Sequence, residues 1–272
     1  MSRKRRRRQK LPWQIILIAT IAVAFFLAPF VGLLWRTPWA NFTEIITDQE
    51  IRQALWLSIK TSLMTSVICG IFGVPLAWLL ARVDFPGRRF IRALTTLSMV
   101  LPPVVGGIAL LFTFGRRGLF GQYLDRWFGI QLPFTTTAVI VAQCFVSMPF
   151  LVLTVEAALH QIDSRIEGVA QTLGASRWYV FTRVTLPSIK PSLVAGFVLA
   201  WARALGEFGA TITFAGNLPG TTQTMPLATY AALDSNPEAA LVMSLVMVAI
   251  AFSILIALRD RWLGRIDQGL PL

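Results

Sequence analysis

A chain of 272 residues in which 55% are hydrophobic and only 14% charged lies well below the roughly 25% charged content of soluble globular domains, which excludes a soluble fold. Lys and Arg outnumber Asp and Glu by 25 to 13, a net charge of +12. The two cysteines, Cys69 and Cys144, lie among apolar neighbours and read as packing residues rather than as a disulfide or a metal pair.

The chain opens on a basic tail, residues 1–13, carrying Arg3, Lys4, Arg5, Arg6, Arg7, Arg8 and Lys10. A basic run directly before an apolar segment sets topology and touches anionic lipid, at about 1 kcal/mol per charge near the surface. Membrane lipid is therefore its expected partner, and nucleic acid is not. The apolar run that follows is longer than the core of a signal peptide and lacks an obvious small-residue cleavage site, so a membrane span is expected.

A bilayer core needs about 20 apolar residues in a helix. Six stretches qualify: 14–34, 61–81, 93–114, 137–155, 193–215 and 239–258. They predict an all-α polytopic membrane domain over 14–258 with six transmembrane helices, followed by a tail at 259–272. Prolines and glycines interrupt several of them, at Pro75, Pro102-Pro103, Gly106-Gly107 and Pro149. Proline kinks a helix, and small residues allow close helix packing in a membrane. Asp84-Phe85-Pro86-Gly87 and Gly216-Asn217-Leu218-Pro219-Gly220 read as turns between spans.

Orientation follows from the flanking Lys and Arg. The amino-terminal tail, 82–92, 157–192 and the carboxy-terminal tail contribute seven, four, four and three, together 18, against six on the opposite side (Arg36, Arg52, Lys60, Arg116, Arg117, Arg126). Both termini and the segment 157–192 are therefore expected in the cytoplasm. His160 stands alone near a helix end, without the Cys, His or carboxylate neighbours a metal would need.

Segment 157–192 is polar and helix-prone, studded with Arg165, Arg177, Arg183 and Lys190, and broken at Gly174. It reads Glu167-Gly168-Val169-Ala170-Gln171-Thr172-Leu173-Gly174-Ala175-Ser176, with Leu186-Pro187 twelve residues after Gly174. A short helix, a glycine turn and a second helix on the cytoplasmic side offer a dock for a partner. In the fifth stretch Arg203 and Glu207 stand four residues apart, predicting a shared helix face that also carries Thr211. Two readings remain open for them: an intramembrane ion pair, or a path in which Arg203 meets an anion. Arg preceding Glu at this spacing is the less favourable order within one helix, so a partner on another helix is expected for at least one of them.

The docking segment resembles the coupling segment of ATP-binding-cassette importer permeases, whose pattern runs E-A-A, three residues, G, then a later L-P. Aligned on Gly174, the triplet falls on Gly168-Val169-Ala170, with Glu167 one place earlier. Trp201-Ala202-Arg203-Ala204-Leu205-Gly206-Glu207-Phe208-Gly209-Ala210-Thr211, the later Ala215-Gly216-Asn217-Leu218-Pro219-Gly220 with Gln223-Thr224-Met225-Pro226-Leu227-Ala228, and Leu101-Pro102-Pro103-Val104-Val105-Gly106-Gly107 are similar to the molybdate branch of that family. Sulfate permeases share the R-x-x-G-E-F/Y-G core.

The resemblance implies the small, type I importer fold, working as a homodimer in a prokaryotic cytoplasmic membrane. It assigns ATPase coupling to Glu167, Gly168, Val169, Ala170, Gly174, Ala175, Leu186 and Pro187. It also implies a cytoplasmic ABC ATPase dimer, which would bind ATP and Mg, and an extracytoplasmic molybdate-binding protein. The chain has no G-x-x-x-x-G-K-[ST] loop of its own, so neither a catalytic site nor a cofactor is expected in it. Sulfate, thiosulfate or tungstate is the alternative cargo. A secondary transporter or channel would call for several intramembrane ionisable residues, and only Arg203 and Glu207 are available, besides Glu156 at a helix end.

Overall fold

The computed structural model describes residues 12–163 and 165–263, and these form helices joined by turns, with no strand among them. The basic tail expected at 1–13 thus lies almost wholly outside the described residues, as does most of the tail expected at 259–272. In chain order the helices are α1 (Trp13–Arg36), α2 (Phe42–Thr47), α3 (Gln49–Arg82), α4 (Arg88–Val100), α5 (Pro103–Phe114), α6 (Gly121–Phe128), α7 (Thr136–Gln161), α8 (Arg165–Thr172), α9 (Arg177–Val180), α10 (Leu186–Ser188), α11 (Lys190–Leu205), α12 (Gly209–Phe214), α13 (Met225–Ser235) and α14 (Pro237–Leu263). A π-helical turn, Phe181–Thr185, joins α9 to α10.

Among the described residues, four helices are long and apolar enough to cross a bilayer: α1, α3, α7 and α14 over Pro237–Ile256. The other two predicted stretches, 93–114 and 193–215, are each divided between two helices. The third divides into α4 and α5 because Leu101 and Pro102 are extended, with ψ of 131° and 130°. A residue before proline is driven out of the α region, and Pro103 then starts a helix favourably at its first turn. The fifth ends as α11 at Leu205 and resumes as α12 at Gly209. Pro75 and Pro149, by contrast, sit inside the unbroken helices α3 and α7.

The second stretch is longer than its apolar run. Asp48 caps α3, its Oδ1 accepting the amide of Glu50 at 2.8 Å and that of Ile51 at 3.4 Å, and the helix runs 34 residues from there. At 1.5 Å per residue that is about 51 Å, against about 30 Å of bilayer core.

Helix α7 occupies the centre. Leu151, Val155 and Leu159 pack with Cys69, Ala77 and Leu80 of α3 and Ala200 of α11, while Ala138, Ala142 and Val146 pack with Leu110 of α5 and Ala210 and Phe214 of α12. Buried polar contacts lock the α3–α7 pair: Thr65 Oγ1 donates to Gln143 Oε1 at 3.0 Å, and Gln143 Nε2 to Thr61 Oγ1 at 3.3 Å. Helix α1 stands apart, with no buried residue and contacts to α14. Its exposed Phe25, Phe26, Ile18 and Ile21 are what a lipid-facing helix presents.

The two breaks meet. A Cβ on Gly107 of α5 would lie 1.8 Å from Thr213 Oγ1 and 2.7 Å from the Ala210 carbonyl oxygen of α12. The hydroxyl could rotate away, but backbone cannot. Gly107→Val is therefore expected to destabilise the protein by about 1–3 kcal/mol, the usual cost of overpacking. Thermal unfolding of the purified variant in detergent checks this, and an unchanged midpoint would contradict the close approach.

Candidate coupling surface and intramembrane ion pair

The segment after α7 folds as two short helical pieces around Gly174. Helix α8 ends in a Schellman arrangement: the Gly174 amide donates to the Gln171 carbonyl at 3.0 Å and the Ala175 amide to the Ala170 carbonyl at 3.1 Å. Gly174 carries φ +88°, in the left-handed region that glycine adopts without strain. A Cβ there would meet nothing within 4 Å, so the glycine serves the turn and not a close approach. Ser176 then caps α9 by accepting the Tyr179 amide at 3.2 Å.

These turns arrange the residues of the segment on two sides. Ile166, Val169 and Leu173 share one face of α8 and its end, at spacings of three and four, and are exposed, Leu173 by 83%. Trp178 and Tyr179 of α9 are exposed as well. Gly168 faces open space. Leu186 instead packs on the α3–α7 core, and Pro187 stands in the first turn of α10. The result is an apolar surface on a polar segment, backed by a fixed base. Exposed apolar patches of this kind mark interaction sites.

Glu167 lies on the opposite side of α8 and is buried. Its carboxylate is 3.2 Å from Arg82 Nε at the end of α3 and accepts the Thr185 hydroxyl at 3.0 Å. Arg82 Nη2 also donates to the Ile162 carbonyl at 3.3 Å, where α7 ends. A second buried carboxylate, Glu156 of α7, pairs with Arg92 of α4, whose Nε donates at 2.8 Å, and His160 Nε2 stands 3.6 Å away. Sequence reasoning had counted Arg82 and Arg92 only as topology charges. Their partners are 85 and 64 residues away, a separation no local pattern reveals. On α6, hydrogen bonds from Gln131 and Arg116 hold the Asp125 carboxyl below its ordinary range.

At the break in the fifth stretch, Arg203 Nη1 is 2.5 Å from Glu207 Oε2. They pair with each other across the end of α11 rather than along one continuous helix face. Gly206 caps α11, which leaves Glu207 in the gap, where its Oε1 accepts the Ala210 amide of α12 at 2.8 Å. The Glu207 side chain is 1% exposed and that of Arg203 27%. A carboxylate at the amino-terminal end of a helix is electrostatically favoured, and here it fills the position an anion would take. Thr211, one turn further, is fully enclosed, and its hydroxyl has no partner among the described residues.

Residues 73–270 match the family described as "Binding-protein-dependent transport system inner membrane component". Over 251 residues the chain is 45% identical to the "Molybdenum transport system permease protein ModB" of Mycobacterium tuberculosis, covering 92% of this chain and 95% of that protein. It is 35% identical over 236 residues to the "Sulfate transport system permease protein CysT" of Escherichia coli, covering 86% of this chain and 85% of that one. In three dimensions it superposes on a chain of a bacterial ABC transporter involved in the import of the acidic polysaccharide alginate, with a TM-score of 0.68, 19% identity, and coverage of 91% and 94%. That likeness shows a shared fold.

Proposed function

The chain belongs to the family of binding-protein-dependent transport inner membrane components, and from that premise we propose that it is the translocating subunit of an ATP-driven molybdate importer. The observation that carries the cargo is the 45% identity to a molybdenum permease over 92% of the chain. Identity to the sulfate permease is ten points lower, 45 − 35, over a similar span. Sulfate, a tetrahedral dianion like molybdate, is the second reading.

The apolar surface made by Ile166, Val169, Leu173, Trp178 and Tyr179 receives a cytoplasmic ABC ATPase, which binds and hydrolyses ATP with Mg. Two copies of the chain enclose the path, and an extracytoplasmic binding protein delivers the anion to the outer face. Six crossings place both termini inside, the third crossing being α5 with part of α4 and the fifth α11 with α12. Closing the ATPase pair moves the two coupling segments and shifts the subunits between two access states. Arg203 and Glu207 act as a mutually neutralising pair that holds the break between α11 and α12.

The test is ATP hydrolysis by the purified complex in lipid. Binding protein loaded with molybdate is expected to stimulate it, and no stimulation by either oxyanion would refute the transport reading. Topology is tested by single cysteines in a background lacking Cys69 and Cys144. Cysteines at the exposed positions Gln122 and Ser235 are expected to react with an impermeant thiol reagent from outside intact cells. One at exposed Gln171 is expected to react only after the membrane is opened. Labelling of Gln171→Cys in intact cells would overturn the assigned orientation.

A further inference from the structure

Helix α8 buries one residue, and that residue is the carboxylate of Glu167. A two-turn helix would ordinarily be held to a bundle by an apolar side chain. Here the apolar side chains Ile166 and Val169 point away from the protein, and a charged one points in. Its partner Arg82 uses one fork of the guanidinium on Glu167 and another on the Ile162 carbonyl. Thr185 of the π-helical turn closes the group. Four parts of the chain thus converge on one ion pair: the end of α3, the end of α7, α8, and the π-helical turn that leads into α10.

We infer that Arg82 and Glu167 are positioning residues that transmit movement of the docked segment to the spanning helices, and that Glu167 does not itself touch the ATPase. The inference rests on the transport reading above. An apolar contact tolerates sliding, whereas a planar guanidinium held on two acceptors fixes the angle between the elements it joins. Rotation of α8 by a bound ATPase therefore carries the ends of α3 and α7 with it. Without the pair the exposed surface still docks, but its movement is lost at the joint.

The separating experiment measures three quantities on the complex in proteoliposomes: bound ATPase, ATP hydrolysed, and molybdate taken up per ATP. Arg82→Gln and Glu167→Gln are expected to keep bound ATPase and hydrolysis near the unaltered values, while uptake per ATP falls about tenfold, within the range of residues along a coupling route. Arg82→Lys is expected to resemble Arg82→Gln, since one ammonium cannot reproduce the two-acceptor fork. A purely structural contact would lower hydrolysis and uptake in proportion, and an unchanged ratio in Arg82→Gln overturns the inference. Loss of bound ATPase in Glu167→Gln overturns it too and makes Glu167 a direct contact. If the unaltered complex shows no oxyanion-stimulated hydrolysis, the transport reading fails. Amide exchange across 165–172 then decides the joint alone: faster exchange in Arg82→Gln supports it, and unchanged exchange overturns it.

Discussion

Replacing Gly174 with valine is expected to leave the protein inserted in the membrane and to abolish uptake. The residue sits at φ +88° with open space around it, so the cost comes from backbone conformation. Ordinary L-residues lose about 1–2 kcal/mol in the left-handed region, and a β-branched residue is a clear outlier there. Helix α8 has only eight residues, so the turn has little to resist that cost. Once the turn opens, Leu173 and Trp178 no longer belong to one surface. Copurified ATPase is expected to fall about tenfold, the equivalent of 1.4 kcal/mol. Gly174→Asn is the control, because asparagine tolerates the left-handed region, and it is expected to retain most of the bound ATPase. Equal loss in both variants would show that space, and not backbone angle, is what the position requires.

The second large effect is expected at Arg203. Removing one member of a buried ion pair costs about 3–5 kcal/mol, because the other charge is left unpaired. Arg203→Ala strands the enclosed Glu207 carboxylate and is expected to reduce the yield of folded protein sharply. Combining it with Glu207→Gln removes the charge and keeps an acceptor for the Ala210 amide, which Glu207 now supplies at 2.8 Å. The double variant is therefore expected to recover both folding and uptake per folded complex. A double variant that folds but does not transport would assign Arg203 to anion passage. Glu207→Ala would be a poorer choice, since it also leaves the first turn of α12 uncapped.

The sequence revealed the elements whose cause is local. Pro102-Pro103 interrupts the third apolar stretch, and the helix breaks there. Gly174 followed by Ala175 announced a helix end, and a Schellman turn is there. The start of α3 was read twelve residues late, because Arg52 and Lys60 interrupt the apolar run without interrupting the helix. The break at Gly206 was not legible: in a membrane helix a glycine more often serves packing, and what fixes this one is the meeting of α12 with α5. For the same reason the spacing of Arg203 and Glu207 points to a shared helix face, whereas the two pair across a break in the helix. Glu167 was found as part of a motif, while its contact with Arg82 depends on how α7 returns the chain to the end of α3.

The most direct measurement is uptake of labelled molybdate by proteoliposomes holding this chain, its ATPase and the binding protein. Accumulation that requires ATP inside and binding protein outside, persists when ion gradients are dissipated, and resists competition by excess sulfate is the predicted result. Uptake that follows an ion gradient without ATP would contradict the account.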